Sequence, residues 1–165
     1  MLNLLVVFMG GGLFENYFVP LGKPHTMKET YHLNGEVLPA MPVPHDCLIE
    51  KISVEDEWLV FAFEDDINRH DRENPVKENA RSLVIRFHLA DETYSLYKYR
   101  KPFLRFLGEG AFVCLKPEKL FGMPAGNLEY VEHFVGYSSI VIKMFSQTEI
   151  VLEASVDAVE YEWLF

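Results

Sequence analysis

The last seventeen residues of the chain alternate between apolar and other side chains with a period of two. Apolar residues occupy every second position from Ile150 to Ala158, and again from Val159 to Phe165. This period is typical of a β-strand, because successive side chains point to opposite faces of a sheet. The phase flips between Ala158 and Val159 without an intervening Gly, Pro or Asn, which predicts a β-bulge or a sharp bend. The chain is therefore predicted to be a β protein with one sheet face toward solvent.

Shorter strand patterns separated by turn signals precede this segment. Residues 47–54 and 57–64 predict a hairpin, and residues 82–89 and 93–101 predict two strands joined by a turn at Asp91-Glu92. An N-terminal hairpin through Gly10-Gly11-Gly12 is also expected. Neighbouring strands joined by short turns pair in an antiparallel sense.

Helical signals are few. Thr26 and Glu29 have the spacing of a capping box, which predicts a short helix over residues 27–33. Residues 116–122 fit one helical turn that ends at glycine. Residues 128–135 fit a helix and a strand equally well.

These patterns predict one β-rich domain over residues 1–165. Its fold class is mainly β with a minor helical part, an antiparallel sandwich or partly open barrel with one or two short helices. The length suits one domain, and 49% of the residues are apolar, enough for a single core.

The net charge of −10 is unevenly distributed. Residues 50–80 and 120–165 each carry −6, whereas residues 81–119 carry +4. An acidic chain lacks the basic footprint of a general nucleic-acid-binding protein, but it suits a basic protein partner. The acidic candidates for partner binding are Glu64, Asp65 and Asp66.

One basic segment interrupts the acidic background, and its cations Lys98, Arg100 and Lys101 are further candidates for partner binding. Tyr97 and Tyr99 interleave with them, as in some proteins that bind single-stranded nucleic acid. The favoured interpretation is that Lys98 and Arg100 share one strand face and pair with glutamates of the C-terminal strands.

The cysteines and the N-terminus suggest a cytoplasmic protein. Cys47 and Cys114 lie in apolar surroundings and are expected to be buried thiols, since two cysteines make no disulfide framework. The apolar residues 1–9 are too few to span a bilayer, which takes about 20 residues. No membrane association is expected, and the oligomeric state is left open.

No catalytic, metal or cofactor motif is recognisable in the sequence. The acidic residues 65–71 fail the calcium-loop pattern, because Asp71 occupies the position that requires glycine. Polar anchors for a small ligand could still come from His45, Asp46 and His88. We therefore expect no cofactor and no metal, and we lean toward a protein that is not an enzyme.

Two segments resemble a group of small, acidic, β-rich bacterial proteins. Residues 45–52 open a strand with His45-Asp46 and continue with spaced aliphatic residues, and residues 159–163 read Val-Glu-Tyr-Glu-Trp. Many proteins of this group are uncharacterised, and some are thought to be immunity proteins that neutralise a toxin. The resemblance implies a binding function but carries over no binding residues.

Two functional hypotheses follow. The first is a non-enzymatic, immunity-like binding protein that presents an acidic surface to a basic protein partner. The alternative is a small-molecule-binding β-barrel or an enzyme, with a site near His45, Asp46 and His88.

Overall fold

The computed structural model describes residues 25–69, 76–102, 108–124 and 127–165. These residues form eight strands and one short 3-10 helix, which are β1 (Thr26–His32), β2 (Cys47–Glu55), β3 (Trp58–Phe63), β4 (Ser82–Arg100), β5 (Ala111–Leu115), the 3-10 helix (Pro117–Gly122), β6 (Glu129–Gly136), β7 (Ser139–Ser146) and β8 (Thr148–Leu164). The predicted 47–54/57–64 hairpin corresponds to β2 and β3, and the predicted turn near residue 120 is the 3-10 helix. The N-terminal hairpin predicted around Gly10-Gly11-Gly12 lies outside the described residues.

All eight strands form one antiparallel sheet in the order β1-β8-β7-β6-β2-β3-β4-β5. An additional pairing between β8 and β4 closes six of these strands into a ring. The ring is weakest between β2 and β6, where the ladder has only two residue pairs. The predicted mainly β, antiparallel fold with little helix is confirmed, and the ring makes it a partly closed barrel.

Two long strands organise the sheet. β8 pairs with β4 along one edge, while its other edge pairs with β7 over its first half and with β1 over its second half. β4 is arranged in the same way, because its edge away from β8 pairs with β3 over its first half and with β5 over its second half. The two strands therefore run through both halves of the molecule and hold them together.

A bulge in β8 explains the phase flip of the sequence. His88 pairs with Ala158 and Leu89 pairs with Val156, so Asp157 has no partner residue on β4. The buried positions change at the same point, from even numbers up to Val156 to odd numbers from Val159 onward. The extra residue keeps both halves of the apolar face directed at the core, as predicted.

β4 contains a larger interruption, and here the sequence prediction is wrong. Leu89 pairs with Val156 and Tyr94 pairs with Ala154, so residues 90–93 lie opposite the single residue Ser155. The predicted turn at Asp91-Glu92 does not start a new strand, because β8 continues to pair with β4 on both sides of it. The turn signal corresponds to a bulge of four residues inside one strand, which we call the wide bulge of β4.

The predicted helix over residues 27–33 is also wrong. Residues 26–32 form β1, whose partner is the far end of β8. The Glu29 carboxylate caps no helix and instead accepts hydrogen bonds from Trp163 Nε1 at 2.8 Å, Tyr31 Oη at 3.2 Å and Lys77 Nζ at 2.5 Å. Residues 128–135, which fitted both element types, belong mainly to strand β6.

The ring encloses one hydrophobic core. Its largest fully buried side chains are Trp163, Tyr130, Tyr161, Phe61 and Phe87. Burial of each stabilises the fold by roughly 2–3 kcal/mol. The three polar ends among them have hydrogen-bond partners, because Tyr161 donates to the carbonyl of Pro42 at 2.8 Å, Trp163 donates to Glu29, and the hydroxyl of Tyr130 lies 2.9 Å from Nδ1 of His133.

Candidate functional site: the outer face of the sheet

The residues proposed as anchors for a small ligand lie at opposite ends of the β2–β3 hairpin. His45 and Asp46 precede β2, near the end of β3, whereas His88 pairs with Trp58 at the start of β3. Trp58 and Glu64 are six positions apart along an extended chain, which corresponds to about 20 Å. The structure therefore does not bring His88 together with His45 and Asp46 in one site.

His88 lies between two carboxylates. Its Nδ1 is 2.6 Å from Oδ1 of Asp157 in the β8 bulge, and its Nε2 is 3.3 Å from Oε2 of Glu57. The hydrogen bond with Asp157 raises the pKa of His88, and Glu57 adds to this effect. Trp58 covers the ring edge-on at 4.8 Å. Because both ring nitrogens are engaged, this cluster fixes neighbouring elements to one another and leaves no nitrogen for a ligand.

His45, Asp46 and Glu64 lie beside the weak seam between β2 and β6. Oε1 of Glu64 accepts the backbone N–H of Leu48 at 3.3 Å and a hydrogen bond from Arg69 at 2.7 Å. An open cleft of about 330 Å³ follows the seam. Its lining residues are Asp46, Leu48, Arg69 and Glu129.

The other two acidic candidates, Asp65 and Asp66, form contacts within the loop after β3. The Asp65 carboxylate pairs with the guanidinium of Arg81, and the backbone N–H of Asp66 donates to the carbonyl of Arg81 at 2.6 Å. Asp66 has a positive φ of 66°, which Asp tolerates better than most residues. Both residues therefore shape the loop, although their side chains remain accessible.

The basic segment divides between two faces, as the alternation predicts. Lys98 pairs with Ile150, which is fully buried, and Arg100 pairs with Ala111. The cations of β4 thus share the core-facing side at the end of the sheet, whereas Tyr97 and Tyr99 point outward. Lys101 follows β4 in an extended segment. Within the described ranges, no carboxylate forms an ion pair with Lys98, Arg100 or Lys101, so the predicted pairing with glutamates of β8 is not found.

The outward side of β6, β7, β5 and the adjoining halves of β8 and β4 carries the accessible aromatic side chains of the sheet. We call this surface the outer face. Residues that pair across neighbouring strands form rows on the outer face. One row contains Phe134, Val141 and Glu153. A second row contains Glu132, Lys143, Val151, Tyr97 and Cys114. A third row contains Glu129, Phe145 and Glu149, and Tyr99 packs edge-on against Phe112 at 5.5 Å.

Three phenylalanines of the outer face are unusually exposed. The exposed fractions are 53% for Phe134, 47% for Phe112 and 45% for Phe145, and Tyr137, at 71%, lies in the adjoining β6–β7 turn. The aliphatic residues between them, Val141 and Val151, are half-buried. A broad apolar surface of this kind marks an interaction site more often than an idle surface.

Carboxylates outnumber cations on the outer face. Its one cation among the described residues, Lys143, lies 2.7 Å from Glu132 and 3.7 Å from Glu149. These carboxylates raise the pKa of Lys143, the hydrogen bond with Glu132 most of all. Glu129 and Glu153 form no ion pair within the described part of the chain. The surface is therefore aromatic in composition and negative in charge.

A shallow cavity of about 260 Å³ lies at the end of the outer face, beside the wide bulge of β4. Its lining is mainly polar, with two carboxylates and four small residues that carry a hydroxyl group. The lining residues are Asp91, Thr93, Tyr94, Ser95, Ser139, Glu153, Ala154 and Ser155. Its position follows from the bulge, because residues 90–93 stand beside the row that contains Ser139 and Ser155.

The two cysteines differ in accessibility. Cys47 is buried as predicted, and burial above all raises its pKa to about 11. Cys114 is exposed, so the prediction that it is buried is wrong. It lies opposite Tyr97 on β5 and faces outward with the aromatic residues.

Sequence reasoning missed one buried titratable pair. Tyr130 is fully buried, and its Oη lies 2.9 Å from Nδ1 of His133. Burial lowers the pKa of His133 to about 4, so its ring is neutral at pH 7 and Nδ1 can accept a hydrogen bond from the hydroxyl of Tyr130. The spacing of these residues across an irregularity in β6 gives no recognisable signal in the sequence.

Neither a metal site nor a membrane-spanning helix is found in the part of the chain that the structure describes. No group of three or more His, Cys, Asp or Glu side chains there converges as metal ligands would. None of the described helical segments has the length and apolar character needed to cross a bilayer.

Comparison with known proteins gives no relative. No family model matches the chain, no curated protein matches it, and no solved structure matches it.

Proposed function

We propose that this chain is a non-enzymatic binding protein whose outer face docks a basic protein partner. The observation that carries the proposal is the combination of exposed Phe134, Phe145 and Phe112 with an excess of carboxylates on the same face. Aromatic side chains are enriched in protein interfaces, where a few residues that exclude water supply most of the binding energy.

The charge of the outer face specifies the kind of partner. Glu129 and Glu153 form no ion pair among the described residues, and the whole chain carries −10. A cationic partner would meet complementary charge and associate faster at low ionic strength, whereas an acidic partner would be repelled. A basic toxin neutralised by an immunity-like protein would be the biological form of this interaction.

The test is affinity capture from the source cell with the full chain immobilised. The double variant F134S/F145S removes two aromatic side chains of the outer face. The matched control V37S/L38S removes two exposed apolar side chains from the segment between β1 and β2, where the exposed fractions are 85% and 41%. Circular dichroism checks that all three proteins are folded.

We expect one predominant basic protein, retained by the wild type and the control and lost from F134S/F145S. Its capture should weaken when salt is raised from about 0.05 M to about 0.5 M, because the Debye length shortens severalfold. Capture of no protein, or equal capture by F134S/F145S, would contradict the proposal.

A second candidate function rests on the seam cleft. Asp46, Arg69 and Glu129 line it, and both signs of charge suit a small zwitterionic or carboxylate ligand. Thermal-shift screening of small carboxylates and amino acids would reveal a stabilising ligand, and Asp46→Asn should reduce that stabilisation. A stabilisation that Asp46→Asn leaves unchanged, or no stabilisation by any compound, would count against this function.

A further inference from the structure

The cavity beside the β4 bulge has the chemistry of a site for an organic cation. Asp91 and Glu153 contribute carboxylates to its wall, and no lining residue is cationic. Within the described residues neither carboxylate forms an ion pair. The cavity therefore carries a negative potential that no ion pair among the described residues neutralises.

The remaining wall supplies hydrogen-bond acceptors. The hydroxyl oxygens of Ser95, Ser139 and Ser155 can each accept a hydrogen bond. Tyr94 pairs with Ala154 on the core-facing side of the sheet, where its ring packs against the core and its hydroxyl donates to the carbonyl of Pro117 at 3.3 Å. The groups that the outer side of this wall offers to a ligand are therefore carboxylate and hydroxyl oxygens.

We propose that this cavity binds a guanidinium group, presented as an arginine side chain by the basic partner. Guanidinium carries five N–H donors in a flat fork, which fits a wall of carboxylates and hydroxyls better than the point charge of an ammonium group. The volume of about 260 Å³ accommodates one such side chain in the open mouth of the site.

The position of the cavity connects it to the outer face. Glu153 lines the cavity and also stands in the row of Phe134 and Val141. A partner arginine in the cavity would place the neighbouring partner residues over these apolar side chains. The proposal that a partner arginine occupies the cavity rests on the proposed function, but guanidinium binding itself can be measured without the partner.

The experiment is a titration of the ¹⁵N-labelled full chain with Nα-acetylarginine amide, followed by NMR. Nα-acetylcitrulline amide serves as a neutral isostere and Nα-acetyllysine amide as an ammonium probe. The variant Glu153→Gln removes one charge from the cavity wall. The control Glu160→Gln removes a carboxylate from the other half of the same strand, outside the cavity.

We expect saturable shifts at the amides of Ser95, Ser139 and Ser155 with the arginine probe. Affinity should fall at least about tenfold in Glu153→Gln and with the citrulline probe, because a charge-assisted hydrogen bond is lost. Glu160→Gln should bind like the wild type. Shifts that do not saturate, equal affinity for the citrulline or lysine probe, or unchanged binding by Glu153→Gln would overturn the proposal.

The variant F134S/F145S separates this proposal from the proposed function. Neither phenylalanine lines the cavity, so this variant should lose the protein partner and keep the arginine probe. If the probe binds but no basic partner is ever captured, the cavity assignment stands and the docking function fails. If a partner is captured through the phenylalanines but the probe does not bind, the cavity assignment alone fails.

Discussion

The side chain of His88 connects the β8 bulge to neighbouring strands by hydrogen bonds. It projects from β4 to Asp157 in the bulge at 2.6 Å and to Glu57, beside the β2–β3 turn, at 3.3 Å. The backbone oxygen of Asp157 also accepts the N–H of Leu33 at 2.8 Å. One ring thus links three segments that are distant in sequence.

This arrangement predicts a pH dependence of stability. The hydrogen bond with Asp157 raises the pKa of His88 above its usual value of 6.5. The folded state therefore binds the proton more tightly than the unfolded state, so the stabilisation is fully present below pH 6.5 and is lost as the pH rises through the raised pKa. His88→Gln should lower the free energy of unfolding by about 0.5–1 kcal/mol more at pH 5.5 than at pH 9.

Urea unfolding of both proteins at the two pH values measures this difference. His32→Gln is the matched control, since His32 is an exposed residue on the edge strand β1. A loss of stability in His88→Gln that is equal at both pH values would show that the ring acts only by packing against Trp58.

At the scale of elements, the seam between β2 and β6 is the least supported joint of the ring. Its ladder is two residue pairs long, whereas β4 and β8 pair along almost their whole lengths. On the other side of β2, the Glu64 carboxylate holds the start of this strand to the segment after β3, because it accepts the N–H of Leu48 and a hydrogen bond from Arg69. The seam should therefore open locally before the rest of the sheet unfolds.

Glu64→Ala should accelerate hydrogen exchange at the amide of Leu48 about tenfold, because removing one hydrogen bond costs about 1.4 kcal/mol in local stability. The amides of β8 should keep the exchange rates of the wild type. Glu55→Ala, at the other end of β2, is the control, since the exposed side chain of Glu55 has one hydrogen bond among the described residues, which it accepts from the hydroxyl of Ser53. Equal acceleration throughout β8 would mean that Glu64 supports the whole fold and not the start of β2 alone.

The elements that sequence predicts well are those fixed by local patterns. The β8 bulge is visible in the shift of the apolar phase after Val156, because each side chain there must keep facing the core. β1 is not predictable in this way, since the Thr26–Glu29 spacing is a valid helix signal in isolation. Pairing with β8 overrides it, and that partner lies more than 100 residues away in the chain.

The candidate site depends even more on long-range pairing. The sequence places Lys98 and Tyr97 on opposite faces of a strand, and the structure agrees. It cannot say which face is the core, since that depends on Ile150 lying opposite Lys98. The outer face also unites β5 with β6, which requires the strand order of the whole sheet. Only the −10 charge, and with it the basic partner we propose, is evident from composition.

At the scale of the whole molecule, net charge and the apolar outer face act against each other. Exposed Phe134, Phe145 and Phe112 favour self-association, which like charge on every copy opposes. The sequence pI is about 5.0, so protonation of the carboxylates removes this repulsion as the pH falls toward that value. We therefore predict a monomer at pH 7.5 and concentration-dependent association near pH 5.

Sedimentation velocity at the two pH values tests this prediction, with F134S/F145S and V37S/L38S as the informative pair. Both variants remove two exposed apolar side chains at unchanged net charge, but only F134S/F145S alters the outer face. Association near pH 5 should persist in V37S/L38S and shift to at least about tenfold higher concentration in F134S/F145S, because burying two phenylalanines contributes well over 1.4 kcal/mol. If both variants associate like the wild type, the outer face is not the adhesive surface of the molecule, and neutralised charge alone drives the association.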